Sequence, residues 1–333
     1  MNLKVGIIGA GLIGGKRAKA LLPGDKLTWV CDVSLDRAKA LADSYQAKST
    51  TEPKELLASS DVDVVIVATS NKSIPELSLL ALKHGKHLLV EKPAGRNPIE
   101  LREVLAVEKQ SKSIVRVGFN HRFHPALLKA KKMIDEGKVG ELMYFRARYG
   151  HGGRLGYDKE WRAVPEIAGG GELLDQGVHL IDLCRWMGGE FDLEWGRVET
   201  FFWDMPVEDN GFMLLKSREK KTRAFLHASC TEWKNLFDFE IFGKTGKLQI
   251  FGIGRSYGVE ELRFYQMKPE MGPPEITIEK FPEEDHSWND EWISMHQEIE
   301  GTQTNLGTIE DALRSVEIVH ASYKMSDCPY TKI

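Results

Sequence analysis

The stretch Gly9-Ala10-Gly11-Leu12-Ile13-Gly14 decides the fold, and it follows directly on the apolar run 3–8. Helix-forming residues come next, over 16–22, and a second apolar run, 27–31, ends at Asp32. A G-x-G-x-x-G turn between a strand and a helix, with an acidic residue about 20 positions further on, is typical of a dinucleotide-binding βαβ unit. The sequence therefore predicts a Rossmann-type domain that starts in this stretch.

Each position of the turn has a physical role in such a site. Gly9 permits the tight turn, Gly11 lets the backbone approach a pyrophosphate, and Gly14 allows close packing of helix on strand. Leu12 and Ile13 open the helix, whose unpaired N–H groups and positive dipole end attract phosphates. All five residues are candidate cofactor contacts.

Asp32 indicates which dinucleotide is bound. A carboxylate at the end of the second strand can accept hydrogen bonds from the adenosine ribose and repels a 2′-phosphate. Arg37 lies five residues later and is within reach of such a phosphate, although the pattern over 35–41 is that of a solvated helix. We expect NAD as the cofactor, with NADP as the weaker alternative, and Asp32 and Arg37 near it.

The rest of the chain falls into two parts that differ in their predicted secondary structure. Predicted strands and helices alternate up to about residue 120, which is the pattern of a doubly wound parallel sheet. Short strands joined by polar turns dominate afterwards, as in an antiparallel sheet. The prediction is an α/β chain with a Rossmann domain over 1–121 and an α+β domain with a large open, mainly antiparallel sheet over 122–333.

Glu91-Lys92-Pro93 places a lysine where a catalytic group is useful. The triplet ends the short apolar run 87–90, and ligands of an open α/β sheet bind outside the carboxyl ends of its strands. Pro93 restricts the backbone of the residue before it, so Lys92 has limited freedom. A solvated surface lysine is the competing interpretation, and the neighbouring motifs favour the functional one.

A second candidate catalytic segment is the helix-like stretch 169–182. Asp175 and His179 are spaced i, i+4, so on an α-helix they would be neighbours and the carboxylate could orient the imidazole. Gly177 costs about 1 kcal/mol relative to Ala inside a helix, which suggests a close approach to its backbone. Together with Lys92, these residues supply the proton acceptor and the charges that oxidation of an alcohol requires.

The substrate region is less sharply defined. A glycine-rich loop carries His151 and Arg154, and Trp161 and Arg162 follow before the helix-like stretch. Guanidinium groups bind carboxylate or phosphate, so this cluster favours an anionic or nucleotide-linked sugar over free inositol. A mobile lid with solvated charges is the competing interpretation.

Composition excludes several other classes. The chain has 333 residues and a net charge of −4, which gives no electrostatic reason to bind nucleic acid or anionic membranes. Its apolar runs are far shorter than the roughly 20 residues of a membrane span. The four cysteines are widely spaced, so we expect neither disulfides nor a metal site, and a reducing cytoplasm.

On these motifs the chain resembles the family named for glucose–fructose oxidoreductase, inositol dehydrogenase and the rhizopine protein MocA. Further carriers of the resemblance are 68–71, Arg122-Phe123-His124-Pro125, 208–210 and 242–246. The resemblance implies that Lys92, Asp175 and His179 are catalytic and that the antiparallel sheet joins subunits into a homodimer or homotetramer. Ser70 departs from the proline of many members. With these motifs, the expected cofactor contacts also include Thr69, Ser70, Asn71, Glu91, Lys92 and Asn120. The expected substrate contacts, which include the loop residues named above, are Lys92, Arg122, His151, Arg154, Trp161, Arg162, Asp175 and His179.

The predicted function is NAD-dependent oxidation of a secondary hydroxyl on a sugar, nucleotide sugar or cyclic polyol. The sequence leaves open whether His179 or Lys92 accepts the hydroxyl proton. It also leaves open the reverse reaction, an NAD(P)H-dependent ketosugar or imine reductase. A catalytically silent, dinucleotide-sensing regulator is the alternative outside enzymes, and the presence of Lys92, Asp175 and His179 argues against it.

Overall fold

The computed structural model describes residues 2–328, which form two compact units. The first unit contains the chain up to Asn120 together with Trp288–Arg314, and the second contains His121–Ser287 and the chain from Ser315 onward. The predicted division at residue 121 differs from this arrangement in the segment 288–314, which packs with the first unit.

The first unit is built on a parallel sheet, with strand order β6-β5-β4-β1-β2-β3 for its first six strands. Its central strand β4 is buried at all four residues, as expected for a strand covered by helices on both faces. The doubly wound fold predicted from the alternating pattern is confirmed. The elements are β1 (Lys4–Ile8), α1 (Leu12–Lys19), β2 (Lys26–Cys31), α2 (Leu35–Asp43), β3 (Lys48–Thr50), α3 (Pro53–Ala58), β4 (Val64–Val67), α4 (Ile74–Lys83), β5 (His87–Val90), α5 (Pro98–Glu108) and β6 (Val115–Val117).

The second unit is an eight-stranded sheet with helices, in the order β14-β13-β12-β11-β7-β10-β9-β8. Only the β7–β10 pair runs parallel, so the predicted mainly antiparallel sheet is confirmed. The elements are α6 (Pro125–Asp135), β7 (Leu142–Gly150), α7 (Pro165–Ala168), α8 (Val178–Gly188), β8 (Phe191–Glu199), β9 (Asn210–Ser217), β10 (Arg223–Ser229), β11 (Leu236–Gly243), β12 (Gly246–Phe251), β13 (Glu260–Gln266) and β14 (Glu275–Phe281).

The chain then contributes three last elements, α9 (Ser287–Ile299), β15 (Gly307–Thr308) and α10 (Ile309–Met325). β15 pairs antiparallel with β6 and extends the first sheet. Trp292 and His296 of α9 both hydrogen-bond the Asp25 carboxylate, at 2.7 and 3.0 Å. These long-range hydrogen bonds explain why the segment packs with the first unit. No local sequence pattern predicts them.

Among residues 2–328, no helix combines the length and apolar character that crossing a membrane requires.

Candidate functional site

The glycine turn between β1 and α1 is shaped by two tight contacts and one open position. Gly9 has a left-handed φ of +102°, and a Cβ there would lie 2.3 Å from the Ala68 carbonyl oxygen. A Cβ on Gly14 would lie 1.9 Å from the Gly9 carbonyl oxygen. A Cβ on Gly11, in contrast, would meet nothing within 4 Å, and this residue is exposed at the start of α1.

The open side of Gly11 is the observation that fits a dinucleotide. The protein itself needs glycine at 9 and 14 but not at 11, where the backbone is left accessible beside the first N–H groups of α1. Pyrophosphate binding requires close backbone approach at this point. Leu12 is 78% exposed in the same turn, although large apolar side chains are usually buried, and Ile13 is half-buried.

Asp32, at the end of β2, is held as an ionised carboxylate. Its Oδ2 accepts a hydrogen bond from the Ala10 N–H at 2.8 Å, and its Oδ1 accepts from the Ser34 N–H and from Arg37 Nη2 at 2.7 Å. Burial acts to raise the pKa of Asp32, but these hydrogen bonds outweigh it and lower the pKa below its ordinary value. The carboxylate is thus tied to the glycine turn, and the exposed Arg37 side chain is paired with it.

The residues after β4 and β6 lie at the same carboxyl edge of the sheet. Thr69 and Ser70 are half-buried and Asn71 is buried directly after β4, the neighbour of β1. Asn120 is buried at the start of the short 3₁₀ turn Asn120–Phe123, just beyond β6. Their placement at the edge of the glycine turn agrees with a position near a dinucleotide.

Glu91 and Lys92 leave β5 with different surroundings. Lys92 is half-buried at the carboxyl edge, whereas Glu91 is buried and accepts a hydrogen bond from Arg17 Nε at 2.7 Å. Arg17, on α1, also pairs with Glu291 of α9, so one guanidinium is bound by two buried carboxylates. Burial acts against the charge on Arg17, yet the two carboxylates raise its pKa. Glu91 was predicted as a cofactor contact, and here its carboxylate anchors the lysine-bearing segment to α1.

The sequence did not indicate this ion triad. Arg17 reads as one of several basic residues on a helix, and Glu291 lies 274 positions away. One indirect signal is Gly118, where a Cβ would lie 2.3 Å from Arg17 Nη2, so only glycine leaves room for the guanidinium. Trp288 covers the Arg17 guanidinium at 4.4 Å from its ring centroid.

In the second unit, the predicted catalytic helix starts as a π-helical turn, Leu173–Gly177, that continues into α8. A π-helix bonds i to i+5, so the α-helical neighbour relation assumed for Asp175 and His179 does not hold there. A Cβ on Gly177 would lie 2.7 Å from Leu173 Cδ1 and 3.4 Å from Ala228 Cβ, which is the close approach that the glycine indicated. Turns of this kind are frequent at functional sites.

Glu208 fixes the start of this turn. Its buried carboxylate accepts hydrogen bonds from the Gly171 and Leu173 N–H groups, at 2.8 and 3.1 Å, and from the Tyr323 hydroxyl at 2.8 Å. A carboxylate at a helix N-terminus is stabilising, because it meets unpaired N–H groups and the positive end of the dipole. The motif 208–210 therefore has a structural role in holding the segment that carries Asp175 and His179.

His179 is buried in the first turn of α8 and stacks face to face on His121, with ring centroids 3.8 Å apart. The Tyr149 ring meets both imidazoles edge-on. Burial, followed by the neighbouring Tyr257, raises the pKa of Tyr149 well above its ordinary value, so this phenol is neutral. Sequence reasoning missed His121, although it lies one residue before Arg122 in a quoted motif.

Asp175 is bound by an arginine of the loop region. Its Oδ2 accepts from Arg162 Nε at 3.2 Å, and the Arg162 guanidinium also stacks over the Trp161 ring at 4.6 Å. Burial acts against the charge on Arg162, but Asp175 and other neighbours raise its pKa. The structure thus brings together three residues that were predicted separately, Asp175, Arg162 and Trp161.

The other predicted substrate residues have carboxylate partners as well. Arg154 is exposed and pairs with Glu160 at 2.7 Å, and Glu160 also lies 3.6 Å from Arg162. His151 Nε2 lies 3.5 Å from the buried Glu172. The cluster therefore contains two arginines and three carboxylates, the third being Asp175, and the charge pattern differs from the basic pocket that the sequence suggested.

Arg122 was predicted as a substrate contact, and the structure gives it a buried partner. Its Nε donates to Asp182 Oδ2 at 2.8 Å, and its guanidinium pairs with the same carboxylate through Nη2. Arg122 is 5% and Asp182 1% exposed. Such a buried pair ties the segment after Asn120 to α8, which indicates a role in holding the site rather than in contacting a ligand.

Comparisons with known proteins agree with this arrangement. Residues 3–119 match the oxidoreductase family with an NAD-binding Rossmann fold, and residues 127–249 match the GFO/IDH/MocA C-terminal domain. A levoglucosan dehydrogenase of Pseudarthrobacter phenanthrenivorans is 29% identical over 223 residues, 63% of this chain and 57% of that enzyme. An inositol 2-dehydrogenase of Salmonella typhimurium is 29% identical over 208 residues, 61% of this chain and 58% of that enzyme.

The match thus spans less than two thirds of the length of these relatives. The structure of a levoglucosan dehydrogenase in complex with NADH and L-sorbose superposes with a TM-score of 0.88 over 98% of both chains, at 23% identity. At that identity the likeness establishes the fold. With both family domains matched in order along it, the chain belongs to the GFO/IDH/MocA family of oxidoreductases.

Proposed function

We propose that this protein is an NAD-dependent dehydrogenase that oxidises a secondary hydroxyl of a neutral sugar or cyclic polyol to a ketone. The observation that carries the proposal is the placement of Lys92. It lies at the same carboxyl edge as the open glycine turn, two residues beyond the end of β5, a strand that is two positions from β1 in the sheet. A cationic group at this edge is suited to stabilise charge on a reacting oxygen.

NAD, when bound, would supply the hydride acceptor for oxidation of the carbinol carbon. Gly11 and the N-terminus of α1 would hold its pyrophosphate, and Asp32 would hold its adenosine ribose. The ionised state of Asp32 favours NAD over NADP.

The protein supplies the proton chemistry. His179 takes the hydroxyl proton as general base, and the Lys92 ammonium stabilises the developing alkoxide. Asp175, paired with Arg162, adds negative charge in the neighbourhood of the π-helical turn, where it favours protonation of an acceptor imidazole. The exchange of roles, with Lys92 as the base, remains the alternative.

The charge of the loop cluster supports a neutral substrate. Each guanidinium in it has a carboxylate partner, and its carboxylates outnumber its arginines. An anionic substrate gains little from guanidinium groups already neutralised and is repelled by Glu172 and Asp175. The sequence favoured an anionic or nucleotide-linked sugar on the strength of two arginines, and because Arg154 and Arg162 are already paired with carboxylates we propose a neutral substrate instead.

We also infer that the protein is a homodimer or homotetramer joined through the sheet of the second unit. Trp195, Leu214 and Phe225 lie in register across β8, β9 and β10, and the two aromatic side chains are about half exposed. An exposed apolar row of this kind is typical of an interface. Static light scattering at micromolar concentration tests the inference, and a monomer would contradict it.

Cys31, Cys184 and Cys230 are buried as free thiols. This supports the proposal of a reducing, cytoplasmic location.

The experiment that tests the function is reduction of NAD across a panel of substrates. Inositols, anhydrosugars, simple glycosides, sugar acids and nucleotide sugars are each offered with NAD and with NADP, and absorbance at the NADH band is followed. We expect turnover with a neutral polyol or sugar and NAD. Turnover confined to sugar acids or nucleotide sugars would overturn the neutral-substrate proposal, and silence across the panel despite NADH binding would favour the regulatory alternative.

A further inference from the structure

The second unit contains a buried pair of stacked histidines. The rings of His121 and His179 are 3.8 Å apart at their centroids and only 16° from parallel. The two residues are 6% and 3% exposed and belong to different segments, the turn Asn120–Phe123 and α8. Burial and near-parallel stacking mean that neither ring changes its plane without moving the other.

The groups around the pair are mostly uncharged. The rings of Tyr149, Phe237 and His124 each meet the His121 ring edge-on, with ring centroids 5.2, 6.0 and 5.6 Å away. His124 Nδ1 is in turn 3.1 Å from Glu260.

Two carboxylates near the stacked pair belong to the π-helical turn or to the residue just before it. Glu172 and Asp175 both influence the Tyr149 hydroxyl electrostatically, as does the phenol of Tyr257. Two positive charges on buried rings stacked 3.8 Å apart would repel each other, so the stacked pair favours at most one proton.

We propose that His121 is a positioning residue for His179, fixing the plane of its ring and limiting the stacked pair to one proton. The proposal rests on the function assigned to His179 above. Because the N–H bonds of an imidazole lie in its ring plane, stacked rings exchange no hydrogen bond through their faces. The coupling between them is therefore steric and electrostatic.

This arrangement has a consequence for the pH dependence of the reaction. A general base must be neutral to accept a proton. When the pair is limited to one proton and His121 carries it, His179 stays neutral to lower pH than it would alone. The pair titrates as a unit, so the acidic limb of activity is extended and shallow.

The test compares His121→Phe, which keeps a stacked ring without a titratable nitrogen, with His121→Ala, which removes the ring. The acidic limb of kcat/KM is expected to move to higher pH by about one unit in His121→Phe and to become a single-proton step. Well above that limb, the Phe variant keeps near-normal kcat, whereas the Ala variant loses about tenfold because the plane of His179 is no longer fixed.

His227→Phe is the matched control. His227 also stacks on an aromatic ring, that of Phe212 at 4.3 Å and 9°, in the same unit. Burial and then Arg148 lower its pKa to about 4, so it is neutral over the working range. Its replacement is expected to leave the position of the acidic limb unchanged.

A second readout is independent of turnover. NMR titration of the His179 ring in the NADH-bound protein is expected to move to higher pH in His121→Phe. An unchanged limb together with an unchanged His179 titration in that variant would overturn the proposal. If wild-type protein oxidised no polyol, the proposed function would fail, while the NMR comparison would still decide whether the two rings are coupled.

Discussion

The cofactor turn of the first unit and the π-helical segment of the second are built in opposite ways. The turn is shaped by backbone contacts, because a Cβ at Gly9 or Gly14 would clash with a carbonyl oxygen. Asp32 accepts a hydrogen bond from the Ala10 N–H of the turn and lies only 22 residues further along the chain. The segment carrying Asp175 and His179 is held by side chains: Glu208, in the loop before β9, accepts hydrogen bonds from the Gly171 and Leu173 N–H groups at its start. A sequence motif predicts local backbone geometry, but it does not predict a network of side chains that are distant in the sequence.

The two regions should accordingly fail in different ways. A substitution in the turn either places a Cβ where there is no room for it, which lowers stability, or blocks the approach of the cofactor to the backbone, which lowers its affinity. A change in the segment acts through charge and ring contacts, which alter the chemistry before they alter the binding of NADH.

The largest expected effect is on turnover. Lys92→Ala and His179→Ala are each expected to lower kcat by about 10²- to 10⁴-fold, the range for general acid–base groups, while NADH binding survives. Steady-state kinetics and fluorescence titration with NADH give the two readouts. Lys83→Ala and His84→Ala, exposed at the end of α4, are the matched controls. Normal turnover in either test variant would remove that residue from the mechanism.

The buried ion triad tests how the lysine-bearing segment is held. Arg17→Met leaves Glu91 and Glu291 buried without their shared cation, so the free energy of unfolding should fall by about 3–5 kcal/mol. Denaturant unfolding measures it. Lys19→Met, exposed on the same helix, is expected to change stability by about 0.5 kcal/mol or less. Equal stabilities for the two variants would show that the triad does not anchor the segment.

The glycine turn offers a direct contrast between fold and ligand. Gly14→Ala is expected to destabilise the protein by about 1–3 kcal/mol, because its Cβ meets a backbone oxygen. Gly11→Ala has open space, so its stability should stay within about 0.5 kcal/mol while NADH affinity falls at least about tenfold. Thermal unfolding and NADH titration separate the outcomes. Undiminished NADH affinity in Gly11→Ala would place the pyrophosphate elsewhere.

The smallest expected effect concerns cofactor choice. Asp32→Asn keeps the size of the side chain and removes its charge, so the preference for NAD over NADP should shrink by about fivefold, or about 1 kcal/mol. Because hydrogen bonds hold the pKa of Asp32 below its ordinary value, the wild-type preference should persist as pH falls through the usual carboxyl range. Binding titrations with both cofactors at several pH values test both statements.

Much of the first unit could be predicted from the sequence because its signals are local. The G-x-G-x-x-G turn, the buried four-residue strands and the acidic residue after β2 each depend on neighbours in the chain. The attachment of α9 could not be predicted, since it depends on Asp25 and Arg17 meeting residues more than 260 positions away.

In the candidate site, residue types were easier to predict than their partners. Gly177 correctly indicated a close approach, but the π-helical turn that produces it has no distinctive residue pattern. The two loop arginines suggested a basic pocket because sequence shows a charge without its counter-ion; Glu160 and Asp175 supply that counter-ion only in the folded chain. His121 escaped notice because stacking between distant segments leaves no periodic trace.

The proposed function requires that this chain move a hydride from a carbinol carbon to NAD. The most direct test offers the neutral polyol or sugar found in the substrate panel with deuterium on its reacting carbon, and measures the mass of the NADH produced. We predict that each NADH carries one deuterium and that labelled NADH forms about 10²-fold or more slowly in Lys92→Ala and His179→Ala. Unlabelled NADH, or no NADH from any polyol or sugar, would contradict the proposed hydride transfer.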